Sequence, residues 1–439
     1  MRSVKRKLYV LCIFLALVSP AVFSTGTSEA SEEVTKEEPV VVDFAMIGFQ
    51  NEIEGWTAMV EAANKQLEGK IRINIERINA NGWPEYYQKI VTQMAAGSPP
   101  DIIRVAESLF PRMIERNQLV DLTPYIDELD MTKYASSPFK NAGFKDGKYY
   151  NVPSGVYHLA LYYNKDIFDR AGVPYPSTDW NDSITFSEVR EAGKTLTSGE
   201  GANKTWGFYA GPYMAYIGMY ALSAGGENVF NEDGTSVMNS REVKDVYRWF
   251  DAMLREDKTQ PTPTATRVVG AWDMFKNGKL AMMVENSWIM NDFKNIDSFD
   301  KGIAAPPSKN GSAYSSQFVD GFAIPRGSSN PDAAWQAIKA LISKEGFEAL
   351  VPTGTGGMPI HLEVLKEQSD LIFGTGVDKK SQQAFIDGLS HTVSVPYRSF
   401  YDEADQKVNA NLDSWLLGKI TADEFAEKVH GILQDYIEN

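Results

Sequence analysis

The side chains able to do chemistry are few, and they fall into no catalytic pattern. No G-x-S-x-G, H-E-x-x-H or Walker A spacing occurs in the 439 residues, which removes the commonest hydrolase, zinc-protease and nucleotide sites. The nearest Gly-rich run, Gly354-Thr355-Gly356-Gly357-Met358-Pro359, lacks a sixth-position glycine and follows no clear strand. Four histidines, His158, His361, His391 and His430, are unpaired at any metal-ligand spacing, and His158, inside an expected strand, reads as a packed residue. Tyr149-Tyr150 and Tyr162-Tyr163 resemble ferric-iron tyrosine pairs, but neighbouring strand residues point to opposite faces, which favours packing. Among 58 Asp and Glu, paired carboxylates for glycoside cleavage stay open. The expectation is a protein with no metal, no cofactor and no catalytic residue, and with 9 Trp, 20 Tyr and 22 Phe for binding flat ligand faces.

Composition narrows the partners. Asp plus Glu is 58 against 43 Lys plus Arg, a formal net charge of −15, and four of the bases, Arg2, Lys5, Arg6 and Lys7, lie in an N-terminal leader. An acidic surface repels phosphate backbones, so nucleic acid is not an expected partner. Leu8 to Val18 is an uninterrupted apolar run behind those bases, and Ser19 to Ser24 ends in small residues. That is the pattern of an export signal, too short to span a bilayer, with cleavage expected after Ser24. The only cysteine, Cys12, precedes the end of the apolar run rather than following it, which favours a soluble exported protein over a lipid-anchored one and leaves the mature chain without a thiol. Residues 25–38, rich in Ser, Thr and Glu, read as a flexible linker.

The elements that must position any site begin at Pro39. Val40 to Ile47 is a near-continuous apolar strand, and Trp56, Met59, Val60, Ala63 and Leu67 form one helix face stopped by Gly69. Ile71, Ile73 and Ile75 alternate as a second strand; Pro84 opens a helix that Gly97 ends; Asp101 to Ala106 is a third strand. This is βαβαβ, the start of a doubly wound parallel sheet. The loops after its strands emerge on one sheet edge, where α/β proteins bind ligands. A second, helix-rich unit starts near Pro153 with a strand at Val156 to Asn164 and a capping box at Thr185 and Glu188. Strands return at Leu280 to Val284 and Phe318 to Ile324, and helices carrying Ala404, Val408, Leu412 and Trp415, then Phe425, Val429 and Leu433, close the chain.

Five segments in order, "AAGSPPDIIRV" (Ala95 to Val105), "YYNKDIFDRAGVPYP" (Tyr162 to Pro176), "FKNGKLAMMVENSW" (Phe275 to Trp288), "DGFAIP" (Asp320 to Pro325) and the closing "LLGKITADEFAEKVHGIL", resemble the family 1 extracellular solute-binding proteins of ABC importers, the maltose-binding-protein-like sugar receptors. The resemblance implies an α/β, two-lobed periplasmic-binding-protein fold of type II, hinged, with chain crossings near Pro153, Ile303 and Phe347. The lobes would comprise residues 39–152 with 303–346 and residues 153–302 with 347–439. It implies a carbohydrate held in the interlobe cleft and delivered by a monomeric receptor to the membrane subunits of an ABC permease. A non-sugar solute such as a glycerophosphodiester, or an exported carbohydrate-active enzyme, are the other readings.

Position and resemblance together nominate the ligand-binding residues. Gln50 and Glu52 lie past the first strand, Trp83 past the second and Glu107 past the third. Tyr157 follows the first crossing, where the maltose-binding pattern has an acid, which puts a maltodextrin ligand in doubt. Tyr213, in Gly211-Pro212-Tyr213, resembles an aromatic platform, and Trp288 occupies the place of a stacking tryptophan. Asn286 could bond hydroxyls or cap the next helix. Asp320 precedes Gly321 in a strand, where a backbone can approach a ligand closely. Gly357 and Met358 belong to the late Gly-rich loop, and Arg398 could fork to vicinal hydroxyls or an acidic sugar, or else pair with a carboxylate.

Overall fold

The computed structural model describes residues 38–50, 52–231 and 233–438. The export signal, Cys12, the cleavage site and nearly all of the linker expected from the sequence lie outside the described residues.

The first three strands are β1 (Val40–Ile47), β2 (Ile71–Ile78) and β3 (Ile102–Ala106), separated by α1 (Ile53–Gln66) and α2 (Trp83–Ala95). Both β2 and β3 pair in parallel with β1, the doubly wound start that the hydrophobic periodicity predicts. Helix α1 buries Trp56, Met59, Val60 and Ala63, the 3.6-residue stripe read from the sequence. A small hairpin of β4 (Phe144–Lys145) and β5 (Lys148–Tyr149) precedes the strand that organises the molecule.

That strand is β6 (Val152–Asn164), 13 residues long. With β7 (Trp206–Ala210), β8 (Leu280–Asn286), β9 (Lys301–Ala304), β10 (Ser315–Ala323) and β11 (Thr392–Ser394), it completes a nine-stranded sheet in the order β2-β1-β3-β10-β6-β8-β7, with β11 beside β10 and β9 beside β6. The N-terminal half of β6 pairs antiparallel with β10, and its C-terminal half with β8 and β9. Strand β10 in turn pairs antiparallel with β3. Two strands therefore pass between the halves, β6 outward and β10 back. The expected return near Ile303 comes later, because Ile303 still pairs with Tyr162 at the far end of β6, and the chain reaches β3 only along β10. Adjacent Tyr162 and Tyr163 point into separate cores, one against Phe293 and the other against Phe168, as the strand alternation requires.

Helices cover both halves. Pro331–Leu341 and Lys344–Leu350 return to pack on α1. Tyr401–Leu416 and Ala422–Glu438 pack on each other, and the latter on Arg241–Asp251, around Tyr247, Trp415 and Phe425. The Thr185–Glu188 capping box forms. No described helix is long and apolar enough to cross a membrane.

Candidate binding cleft

A single arginine inside an apolar strand organises the site. Ile102, Ile103, Val105 and Ala106 are buried core residues of β3, and Arg104 among them is 1% exposed. A guanidinium cannot be buried uncompensated, and Arg104 Nη1 donates to Glu52 Oε2 at 2.5 Å while Nη2 donates to Asp320 Oδ2 at 2.6 Å. Its Cζ lies 4.5 Å from the Trp56 ring centroid and 5.3 Å from that of Trp83, within cation–π reach of both indoles. Burial works against the charge, but Asp320 and then Glu52 outweigh it and hold the arginine's proton above its ordinary range.

Each partner arrives from a different element. Glu52 precedes α1, yet its side chain does not cap that helix; it accepts from Trp56 Nε1 at 3.2 Å and from Arg104. Asp320 sits where the pairing of β10 with β6 shifts register, a local irregularity that re-aims a side chain, and its main-chain oxygen accepts from Ser154 Oγ. Burial pushes the Asp320 carboxyl up to about 6, with Arg104 pulling the other way. Tyr157 stands opposite Phe318 across β6 and β10, and burial followed by the Asp320 charge raises its phenol.

From Tyr157 the floor continues into the other half. Phe318 meets Tyr216 edge-on at 5.8 Å, Tyr216 meets Tyr213 at 5.5 Å, and the Tyr216 hydroxyl donates to Glu285 Oε1 at 3.2 Å. Burial raises the Glu285 carboxyl. Tyr213 and Trp288 are exposed, the latter at 62%, unusual for an indole. A small cavity joins Trp288 and Asn291 to the loop Gly354–Pro359. That loop runs back to the arginine cluster: Gly357 leaves no room for a Cβ against Tyr157 and Val156, and a Cβ on Gly356 would reach Trp56. Among the described residues no group of three or more His, Cys, Asp or Glu is placed to hold a metal ion.

Glu52, Trp83, Tyr157, Asp320 and Gly357 thus gather around Arg104, Tyr213 connects to them through Tyr216 and Phe318, and Trp288 through the Gly-rich loop. The other nominated residues are placed differently. Gln50 is exposed on the loop after β1. Glu107 is buried with both oxygens engaged, accepting from Val319 N at 2.5 Å and from the Tyr397 hydroxyl at 3.2 Å, and burial raises its carboxyl well above the usual range. Asn286 is buried and takes the capping alternative, accepting from Trp288 N. The close backbone approach expected at Gly321 is to the Asn151 side chain, which fills the space a Cβ would need. Met358 is a core side chain whose backbone exchanges two hydrogen bonds with Val156. Arg398 is not brought to the cluster; it lies 5.2 Å from the Phe230 ring centroid. His158 is packed, as expected, with both ring nitrogens at main-chain oxygens, and burial pushes it down to about 4. The sequence reading missed Arg104, Trp56, Tyr216 and Glu285. The available signal for Arg104 was a lone charge in a five-residue strand whose other four positions are apolar.

The model for bacterial extracellular solute-binding proteins matches residues 50–346. The diacetylchitobiose-binding protein of Streptomyces coelicolor is 24% identical over 385 residues, 84% of each chain. The fold is similar to the Listeria monocytogenes ABC substrate-binding protein in complex with cycloalternan, with a TM-score of 0.77 at 23% identity, covering 91% of this chain and all of that one. It is also similar to maltose-bound MalE3 of T. maritima, with a TM-score of 0.69 at 21% identity, covering 90% and 100%. Both likenesses bear on the fold, a two-lobed α/β architecture of type II.

Proposed function

The chain belongs to the bacterial extracellular solute-binding protein family, and from that premise we propose that it receives a carbohydrate in the interlobe cleft and delivers it to an ABC permease without altering it. The carrying observation is the pairing of half-buried carboxylates, Glu52 and Asp320, with open aromatic faces, Trp288 and Tyr213. Sugars need both kinds of contact. Hydroxyls removed from water require acceptors already in place, and the C–H faces of pyranose rings bury area on indole and phenol. The cation that holds both carboxylates, Arg104, is committed to them, which favours an uncharged sugar over a uronate or a phosphodiester. The ligands named for the similar proteins, diacetylchitobiose, cycloalternan and maltose, are of that uncharged kind.

In this reading residues 39–152 with the chain from β10 to residue 346, and the chain from β6 through β9 with residues 347–439, form two lobes hinged on β6 and β10, and a ligand touching both shifts the open and closed populations by its differential affinity. The leader is removed on export and the mature chain begins near Thr25. A thermal-shift screen against neutral, amino and acidic oligosaccharides tests the proposal, since binding to the native state raises the midpoint by mass action. Chromatography of the recovered ligand separates the enzyme alternative: unchanged sugar at stoichiometric occupancy is expected, and turnover would overturn the receptor reading.

A further inference from the structure

The segment after β3 and the segment before the helix Tyr401–Leu416 belong to different cores. Leu109, Phe110 and Met113 pack with α2 residues Tyr86, Tyr87 and Ile90, whereas Tyr401 is buried with Tyr247, Trp415 and Phe425, and Tyr397 and Phe400 lean on that second core. Yet a row of polar bonds joins the two segments. It starts at the crossing strand, where Glu107 takes the Val319 N–H and the Tyr397 hydroxyl. Arg112 ends the row, donating Nε and Nη2 to the Ser399 main-chain oxygen at 3.1 and 2.7 Å, and Nη2 also to both Glu403 carboxylate oxygens at 2.7 and 2.6 Å. Its side chain is only 16% exposed.

An apolar seam here would weld the halves into one core. Bonds between polar groups can break and reform in water at small net cost, which suits surfaces that must separate. We propose that this row is a latch between the lobes, with Arg112 as its clasp, and that it biases the receptor toward the arrangement in which these two segments touch. A ligand held in that arrangement has less of the equilibrium to supply, because the competent state is already populated. The inference rests on the hinge reading above but needs no ligand for its test.

Small-angle scattering of the ligand-free mature chain is the experiment, on wild type, Arg112→Ala, Arg112→Lys and Glu403→Gln, with circular dichroism to establish folding. The expected result is a larger radius of gyration for Arg112→Ala and smaller increases for the other two, since a lysine cannot bond Ser399 and Glu403 in the same forked geometry. Scattering of folded Arg112→Ala superimposable on wild type would overturn the latch. If Arg112→Ala does not fold, unchanged scattering in both milder variants overturns it equally. Thermal shifts with maltotriose and diacetylchitobiose separate the two readings. A sugar-induced shift with no expansion in the variants removes the latch and keeps the receptor, whereas expansion in a protein that binds no sugar keeps the latch and counts against the receptor.

Discussion

The two walls of the cleft are built on opposite plans. Around Arg104, two carboxylates, a guanidinium and two indoles are locked together, each charge answered within the protein. Across the floor, Trp288 and Tyr213 stand in water, and the polar group beside them, Glu285, is held by Tyr216 and the Asn286 N–H. One wall holds its acceptors in fixed directions at the expense of burying charge; the other keeps apolar area uncovered until something lies on it. Fixed acceptors give orientation and discrimination, because only a donor aimed at their remaining lone pairs replaces the water it displaces. Open rings give affinity with less demand on the sugar's identity.

Removing the organiser of the first wall should have the largest effect. Arg104→Met leaves Glu52 and Asp320 facing each other without their cation, and breaking a buried ion pair from one side costs about 3–5 kcal/mol. Denaturant unfolding measures it, and a loss below about 1 kcal/mol would mean that the wall is not held by its charges. Next is pH. The Asp320 carboxyl is raised to about 6 in the native state from an unfolded value near 3.8, so the native state holds this proton more tightly. The stability it contributes is present below about 4 and is lost as pH rises toward 6. Asp320→Asn should abolish that decline in the difference between variant and wild-type unfolding curves. His158 works in the opposite direction, since burial lowers it to about 4, so its contribution is present above about 6.5 and lost as pH falls.

On the second wall, Trp288→Ala should weaken sugar binding by roughly 1–3 kcal/mol, about 5- to 150-fold by calorimetry. Exposure of this ring makes the stability change small, within about 0.5 kcal/mol. A large fall in the unfolding midpoint with intact affinity would remove it from the site. The smallest effect belongs to Arg398→Ala, which should change sugar affinity by less than about twofold, because the side chain rests on Phe230 outside both walls; the lost ring contact costs at most about 1 kcal/mol of stability.

Periodicity made the first half of the fold legible. The apolar run at Val40 to Ile47, the alternation after Ile71 and the stripe of α1 each carry their own local instructions, and the loops that follow lead to Glu52 and Trp83. Arg104 was hidden because its partners are 52 and 216 residues away, and a strand position in an apolar run is read as core. The same distance problem displaced the return crossing: residues near Ile303 look like a strand and are one, but only pairing decides which half they join. Asn286 was ambiguous between hydroxyl ligand and helix cap for a chemical reason, since both tasks use the same side-chain oxygen. The family resemblance supplied Trp288, which no spacing argument would have singled out from eight other tryptophans.

The pairing of β3 with β10 also governs how the chain is made. Asp320 lies opposite Ala106, so the sheet begun at Val40 keeps an unpartnered edge until more than two hundred further residues have emerged. Closing so long a loop slows folding. The segment synthesised first therefore cannot complete its sheet, and so cannot finish folding, before most of the polypeptide exists.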